Sequence, residues 1–304
     1  MTLARTWSVG LAGVQGAMVE VEVDMAAGLP GVVLVGLPDA VVRQSVDRVR
    51  AAVANAGGEF PKRRLTIGLS PASMPKQGSG FDLALAAGVL AAAGTVPAAA
   101  VDRLVLLGEL GLDGSVRAIR GVLPAVLAAA RAGHRHVVVP AANAAEAALV
   151  ERIEVLPVGT LSDLVEHLSG RRRLTRHVRG PLPEPAPPPD LGDVVGQAAG
   201  RRALEVSAAG GHHLFMTGPP GAGKTMLAER LPGLLPPLGD EAALEVTAIH
   251  SIAGTLPAGA PLVTRPTFEA PHHSATMAAL IGGGSGQIRP GALCRAHRGV
   301  LFLD

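Results

Sequence analysis

Hydrophobic and polar positions alternate with two different periods along this chain. Residues 19–24 set Val19, Val21 and Val23 against Glu20, Glu22 and Asp24, the period of a half-buried strand. Residues 32–36 are a continuous apolar run, a second strand, stopped by Leu37 and Pro38. Asp39 then fits the N-cap of a helix over 41–56, because its carboxylate can accept from the free N–H groups of the first turn. Further strands are predicted at 64–69, 104–107, 137–140 and 155–158, and helices at 81–93, 123–132, 144–150 and 161–168. Asp113-Gly114 marks a tight turn, with 116–119 as the returning strand of a hairpin. Gly133 closes the helix at 123–132. Residues 1–170 therefore read as one α/β domain.

The pattern breaks over 171–190. Arg171, Arg172, Arg173 and Arg176 give a basic run, and Pro181, Pro183, Pro185, Pro187, Pro188 and Pro189 follow. Closely spaced prolines hold a chain extended, so this stretch reads as a stiff linker, and its basic run as a solvated part of it rather than a DNA contact. A second domain is expected from 191 to 304. It opens with a helix at 198–209, followed by a short apolar strand at 214–217, a glycine-rich loop, a helix at 226–231 and another at 244–250.

Composition narrows the possibilities. A chain of 304 residues suggests two domains, and a net charge of +2 with 17% charged residues gives no global electrostatic case for nucleic acid. The single cysteine, Cys294, excludes an internal disulfide and suits burial as a small apolar filler. No secretory h-region is visible at the start. The Ala-rich segment 83–100 carries Gly88, Gly94 and Pro97 and reads as a buried helix rather than a membrane span. Aromatic residues are 2% and Tyr is absent, so stacking on aromatic side chains is not an evident device for holding bases.

The loop between the strand at 214–217 and the helix at 226–231 carries the chemistry. Gly218, Pro219, Pro220, Gly221, Ala222, Gly223, Lys224 and Thr225 match G-x-x-x-x-G-K-[ST] at every fixed position. Glycines let such a loop curl so that its N–H groups face phosphate oxygens. Lys224 is expected to reach the β- and γ-phosphates of ATP, and the Thr225 hydroxyl to hold Mg²⁺. About eighty residues on, the apolar run 300–303 ends in Asp304. This is the pattern of a Walker B strand lying beside the phosphate-loop strand, with Asp304 as a second Mg²⁺-site residue. His272 and His273 are adjacent and lack a third ligand at a recognisable spacing, so they read as structural or nucleotide-proximal rather than metal-binding. His212 and His213 read as surface turn residues, and Asp82 and Glu109 as structural carboxylates.

Several stretches together resemble the magnesium-chelatase-like AAA+ family of YifB and ComM. They are GVVLVGLPDAV at 31–41, PKQGSGFDL at 75–83, LGELGLDG at 107–114, DVVGQ at 193–197, the phosphate loop, APHHSA at 270–275, RPGAL at 289–293 and HRGVLFLD at 297–304. The resemblance implies an α/β chain of two parts. The first is a Lon-protease-like α+β domain with the ribosomal protein S5 domain 2-like fold, and the second is the first part of a P-loop AAA+ domain. Lon proteases use a Ser–Lys pair, but here Gly80 stands at the place of the nucleophile, next to Ser79, and Ala125 at the place of the lysine. The resemblance therefore implies a Lon-like domain without proteolysis, Lys76 being the only lysine near Ser79. It also implies a cytoplasmic hexameric ring, driven by ATP and Mg²⁺, that binds DNA and promotes branch migration during natural transformation. The resemblance places an inserted hairpin within 252–288, whose glycine-rich run and Arg289 fit a pore loop and a plain surface loop alike. In the family the catalytic Glu follows the position of Asp304, and the sensors, arginine finger and lid lie further on. The 304 residues are thus expected to bind ATP and to hydrolyse it slowly. A metal-chelatase subunit and a Lon-type protease remain the alternative classes.

Overall fold

The computed structural model describes residues 2–256, 261–284 and 289–304, in two compact units, Met1–Gly180 and Pro181–Asp304. The first unit is built on a seven-stranded mixed sheet. Its strands are β1 (Thr2–Ala12), β2 (Gln15–Ala26), β3 (Gly31–Val35), β4 (Arg64–Ser70), β5 (Val105–Leu106), β8 (His136–Pro140) and β9 (Glu154–Val158). A short antiparallel hairpin, β6 (Glu109–Leu110) and β7 (Val116–Arg117), stands apart from the sheet and turns at Asp113-Gly114 as the dipeptide predicts. The sheet order is β3-β4-β2-β1-β5-β8-β9. β2 runs antiparallel to both β1 and β4, and the other neighbours pair in parallel, so the sheet is mainly parallel. The helices are α1 (Ala40–Asn55), α2 (Asp82–Ala92), α3 (Ala98–Val101), α4 (Val122–Arg131), α5 (Ala144–Ala147) and α6 (Leu161–Leu168). Asp39 caps α1 as expected, its carboxylate accepting from the Val42 N–H at 2.7 Å.

α2 is buried along its whole length and packs on β1, β2 and α1. Its small residues permit the close approach: a Cβ on Gly88 would lie 2.8 Å from a Val23 methyl. α4 packs against β1 and β2, and a Cβ on Gly16 would lie 2.6 Å from the Ala128 methyl and 3.0 Å from the Pro124 carbonyl oxygen. The long strand β1 escapes a reading by hydropathy. Its inward positions are Ala4, Thr6, Ser8 and Gly10, small or polar rather than apolar, although all are buried. The Thr6 hydroxyl donates to the Ala84 carbonyl of α2 at 3.1 Å, so the strand is held by close backbone approach and not by large side chains.

The first unit continues past residue 170. The Leu174 N–H donates to His167 Nδ1 at 3.1 Å, and the His177 N–H donates to the Val155 carbonyl of the edge strand β9 at 2.8 Å. Residues 173–190 hold no helix or strand.

The second unit contains α7 (Ala198–Gly210), α8 (Lys224–Ala228), α9 (Leu231–Leu234), α10 (Asp240–Ala253), α11 (Met277–Ile281) and α12 (Ala292–Arg295). Its strands are two-residue pairs: β10 (Phe268–Glu269) with β13 (Val300–Leu301) in parallel, and β11 (Gly282–Gly283) with β12 (Arg289–Pro290) antiparallel. Leu191, Val194, Leu204 and Leu227 form a small core, with Met216, Met226, Leu231 and Leu234 packed on it. This core ties α7 to α8. The helix expected at 226–231 is broken instead into α8 and α9, the second opening with a proline in its first turn, Pro232.

The strand expected at 214–217 does not form. These residues pair with no neighbour, and Phe215 is 90% exposed. β13 is paired with β10 and not with that stretch, which corrects the expectation of a Walker B strand beside the phosphate-loop strand. An isolated apolar run becomes a strand only when a ladder satisfies its N–H and C=O groups, and here only Met216 finds the core.

Candidate functional site

The phosphate loop lies between the Gly210 end of α7 and the start of α8. Gly221 and Gly223 both take the left-handed conformation, at φ 81° each, which a side chain would strain. They curl the chain into α8, whose N-cap is Gly223. The first helical bond runs from the Leu227 N–H to the Gly223 carbonyl at 3.0 Å, so the N–H groups of Gly223, Lys224 and Thr225 precede the ladder.

The carbonyls of the loop are engaged from two sides. The Lys224 ammonium donates to Gly218 O at 3.0 Å and to Pro219 O at 3.2 Å. Gln197, itself left-handed at φ 52°, sits just ahead of α7, and its side-chain amide donates to Ala222 O at 3.0 Å. Three of the loop's carbonyls are therefore turned toward lysine and glutamine, the Ala222 N–H donates to Pro219 O at 3.2 Å, and the N–H groups at the start of α8 remain for an anion. That distribution fits a nucleotide phosphate group. Thr225 is exposed at the start of α8, in position to offer its hydroxyl.

Gln197 is a loop-contacting residue that the motif alone does not reveal. The signal available in the sequence was the short DVVGQ stretch, which carries no phosphate chemistry of its own. Asp304 is exposed one step beyond the strand run that holds β13. The eight loop residues form one contiguous element, whereas no strand ladder joins the Asp304 segment to the stretch before the loop.

Behind β13 lies a polar network. Arg295 holds Glu269 through two bonds, at 2.8 and 3.1 Å. The Arg295 carbonyl accepts from the Thr267 hydroxyl at 2.9 Å and lies 3.1 Å from His250 Nε2. A carbonyl can only accept, so Nε2 carries the proton and Nδ1 accepts from the Thr255 hydroxyl at 2.8 Å. Burial pushes the His250 pKa down and keeps the ring neutral. His272 and His273 are exposed, their rings 4.0 Å apart, and His272 Nδ1 lies 2.7 Å from the Ser274 hydroxyl. No cluster of three metal-ligating side chains occurs among the described residues. Cys294 is exposed, which corrects its reading as a buried filler. The hairpin expected within 252–288 falls partly outside the described residues, at 257–260 and 285–288.

In the first unit, Ser79 donates to the Glu109 carboxylate, while the fully buried Lys76 donates to the Pro71 carbonyl. Serine and lysine thus have separate partners. Burial without a carboxylate partner lowers the Lys76 pKa. Asp82 has no exposed side-chain surface and is gripped by Arg48 through bonds of 2.7 and 2.9 Å. It accepts a third from the Leu110 N–H at 3.1 Å. Its desolvation outweighs these bonds and raises its pKa. This is a structural carboxylate, as the sequence suggests.

Comparison with known proteins adds a family to this geometry. The profile described as "Magnesium chelatase, subunit ChlI" matches residues 190–304, and that described as "Subunit ChlI of Mg-chelatase" matches 21–143. An uncharacterized protein of Mycobacterium tuberculosis is 58% identical over 304 residues, covering 100% of this chain and 60% of the relative. The uncharacterized protein YifB of Escherichia coli is 41% identical over the same span, with the same coverage. The competence protein ComM of Haemophilus influenzae is 42% identical over 309 residues, again covering 100% of this chain and 60% of the relative. The chain thus spans 60% of the length of each of these relatives. A more distant likeness reaches a Lon protease of Trichlorobacter lovleyi, 25% identical over 165 residues, 50% of this chain. No helix among the described residues is long and apolar enough to cross a membrane.

Proposed function

Because the chain belongs to the magnesium-chelatase-like family of YifB and ComM, we propose that its phosphate loop binds ATP with Mg²⁺. The observation that carries this reading is the division of the loop's polar groups. Lys224 and Gln197 engage the carbonyls of residues 218, 219 and 222, and the N–H groups at the start of α8 are left for phosphate oxygens. On binding, Lys224 exchanges two neutral carbonyls for phosphate oxygens, a stronger charge-assisted interaction. The Thr225 hydroxyl supplies one Mg²⁺ contact, and Asp304 is the proposed carboxylate of the metal site. Held by Thr225 and Asp304, Mg²⁺ would supply neutralisation of the phosphate charge.

The proposal extends to rate. The 304 residues bind nucleotide and turn it over near background, because the stretch before the loop and the strand before Asp304 are not joined in one sheet. In the whole protein we propose an ATP-driven ring, of six copies, that remodels DNA in the cytoplasm; the name of the competence relative supports the link to competence. The family descriptions also favour a second reading, an ATPase subunit of a metal chelatase. Nucleotide-dependent binding of forked DNA by the whole protein separates the two, since a chelatase subunit has no use for a fork.

Titration with a fluorescent ATP analogue and Mg²⁺ tests the loop. Lys224→Ala is expected to weaken binding at least tenfold, the loss of a charged contact of about 1.5–3 kcal/mol. Equal affinity in the variant removes the loop from the proposal. Steady turnover by the unaltered chain well above the Lys224→Ala control removes the slow-turnover part alone.

A further inference from the structure

The first unit carries a second candidate binding site, remote in sequence from the phosphate loop. A cleft of about 670 Å³ opens at the β8–β9 edge of its sheet. Arg135, His136, Arg152, Arg176, His177 and Arg179 line it. Only two carboxylates share the lining: Glu151, paired with Arg179 at 3.2 Å, and Glu154, 3.9 Å from the His136 ring, which pairs with it only when protonated. Arg135, Arg152 and Arg176 are exposed and have no acidic partner among the described residues.

Three segments far apart in sequence build this cluster. Arg135 immediately precedes β8, Arg152 lies in the turn before β9, and Arg176 comes from the basic run that reads as a solvated linker. That run is not free. The bond from the His177 N–H to Val155 O lays it along the edge strand and brings Arg176 and Arg179 to the same opening as the other two arginines. A strand edge is thereby covered and a concentration of positive charge created in one step. The chain as a whole is nearly neutral at +2, so this density is local and not a consequence of general basicity.

We propose that this cleft binds the phosphate backbone of a nucleic-acid strand. Guanidinium groups grip phosphate bidentately, and three free ones at a single opening suit successive phosphates of a flexible chain. No Phe, Tyr or Trp lines the cleft, and its free cations suit the phosphate backbone rather than base edges, so the binding is expected to be independent of sequence. The choice of nucleic acid rests on the DNA role proposed above, whereas the site itself rests on the arginines.

The test uses the 304-residue chain without nucleotide, so that the phosphate loop is not read, and a fluorescein-labelled oligo-dT strand followed by anisotropy at low salt. The combined variant Arg135→Ala, Arg152→Ala, Arg176→Ala is expected to bind at least tenfold more weakly. The unaltered chain should show a log–log salt slope of about −2, for three phosphates at roughly −0.7 each. The control variant Lys62→Ala, Arg63→Ala, Arg64→Ala removes the same charge near the opposite, β3–β4 edge and should bind within about twofold of the unaltered chain. Replacing the three cleft arginines by lysine should restore part of the affinity that the alanine variant loses, since the charge is kept and the bidentate grip is not, and this guards against a folding defect. Equal losses in the two alanine variants would mean general charge and overturn the site. Undiminished binding by the cleft variant overturns the site and leaves the DNA role standing. No binding by the unaltered chain overturns the site, whereas the DNA role, proposed for the whole protein, falls only if the whole protein fails to bind forked DNA.

Discussion

At the scale of single residues, the most consequential side chain outside the candidate sites is Asp82. It is a carboxylate with no exposed surface, held by one arginine and one backbone N–H. Arg48 joins α1 to the first residue of α2 and also donates to the Ser45 hydroxyl at 2.8 Å and to the Val41 carbonyl at 3.2 Å. Removing one member of such a pair leaves a buried charge without compensation, a loss far larger than that of an exposed ion pair. Arg48→Ala is expected to destabilise the first unit by about 3 kcal/mol in denaturant unfolding. Lys62→Ala, whose partner Glu59 is exposed at 3.0 Å, should cost less than about 0.5 kcal/mol. Similar losses in the two variants would mean that the Asp82 contact does not carry the difference.

At the scale of elements, close approach at glycines decides how helices meet the sheet. Gly16→Val is expected to destabilise the first unit by about 1–3 kcal/mol, because α4 and the Pro124 carbonyl leave no room for a side chain. A melting point equal to that of the unaltered chain would show that α4 can move away without loss.

The elements also show what hydropathy can and cannot disclose. α1, β4, β8, β9 and α6 lie within a residue or two of their expected bounds, since each presents an apolar face at the right period and ends on a cap or a turn. β1 was invisible because Thr6 and Ser8 occupy inward positions where apolar residues are expected. The stretch 214–217 was misread for the opposite reason: an apolar run predicts burial, but only a partner strand delivers it. The phosphate loop was legible down to its last residue because its chemistry is local, eight consecutive positions with fixed glycines and a fixed lysine. Gln197 and the arginine cleft were not, because they arise where distant segments meet.

At the scale of the whole molecule, each of the two units has its own core, and the chain spans 60% of the relatives it matches. The family assignment rests on the full 304 residues, while the proposed chemistry is divided. Nucleotide belongs to the second unit, and the proposed strand contact to the first. The unladdered run at 214–217 has a further consequence, in the language of proteolysis. Of the aromatic residues, Phe81 is buried, while Trp7, Phe60, Phe268 and Phe302 are partly covered. Phe215 alone stands out, 90% exposed on backbone that no ladder protects. Chymotrypsin at limiting dose should therefore cut first after Phe215, yielding two fragments identifiable by mass. A first cut elsewhere would show that this segment is shielded in solution. The peptide bond most open to attack thus lies three residues ahead of the loop proposed to hold ATP, so a bound nucleotide should slow the cut, and the cleavage rate becomes a label-free measure of site occupancy.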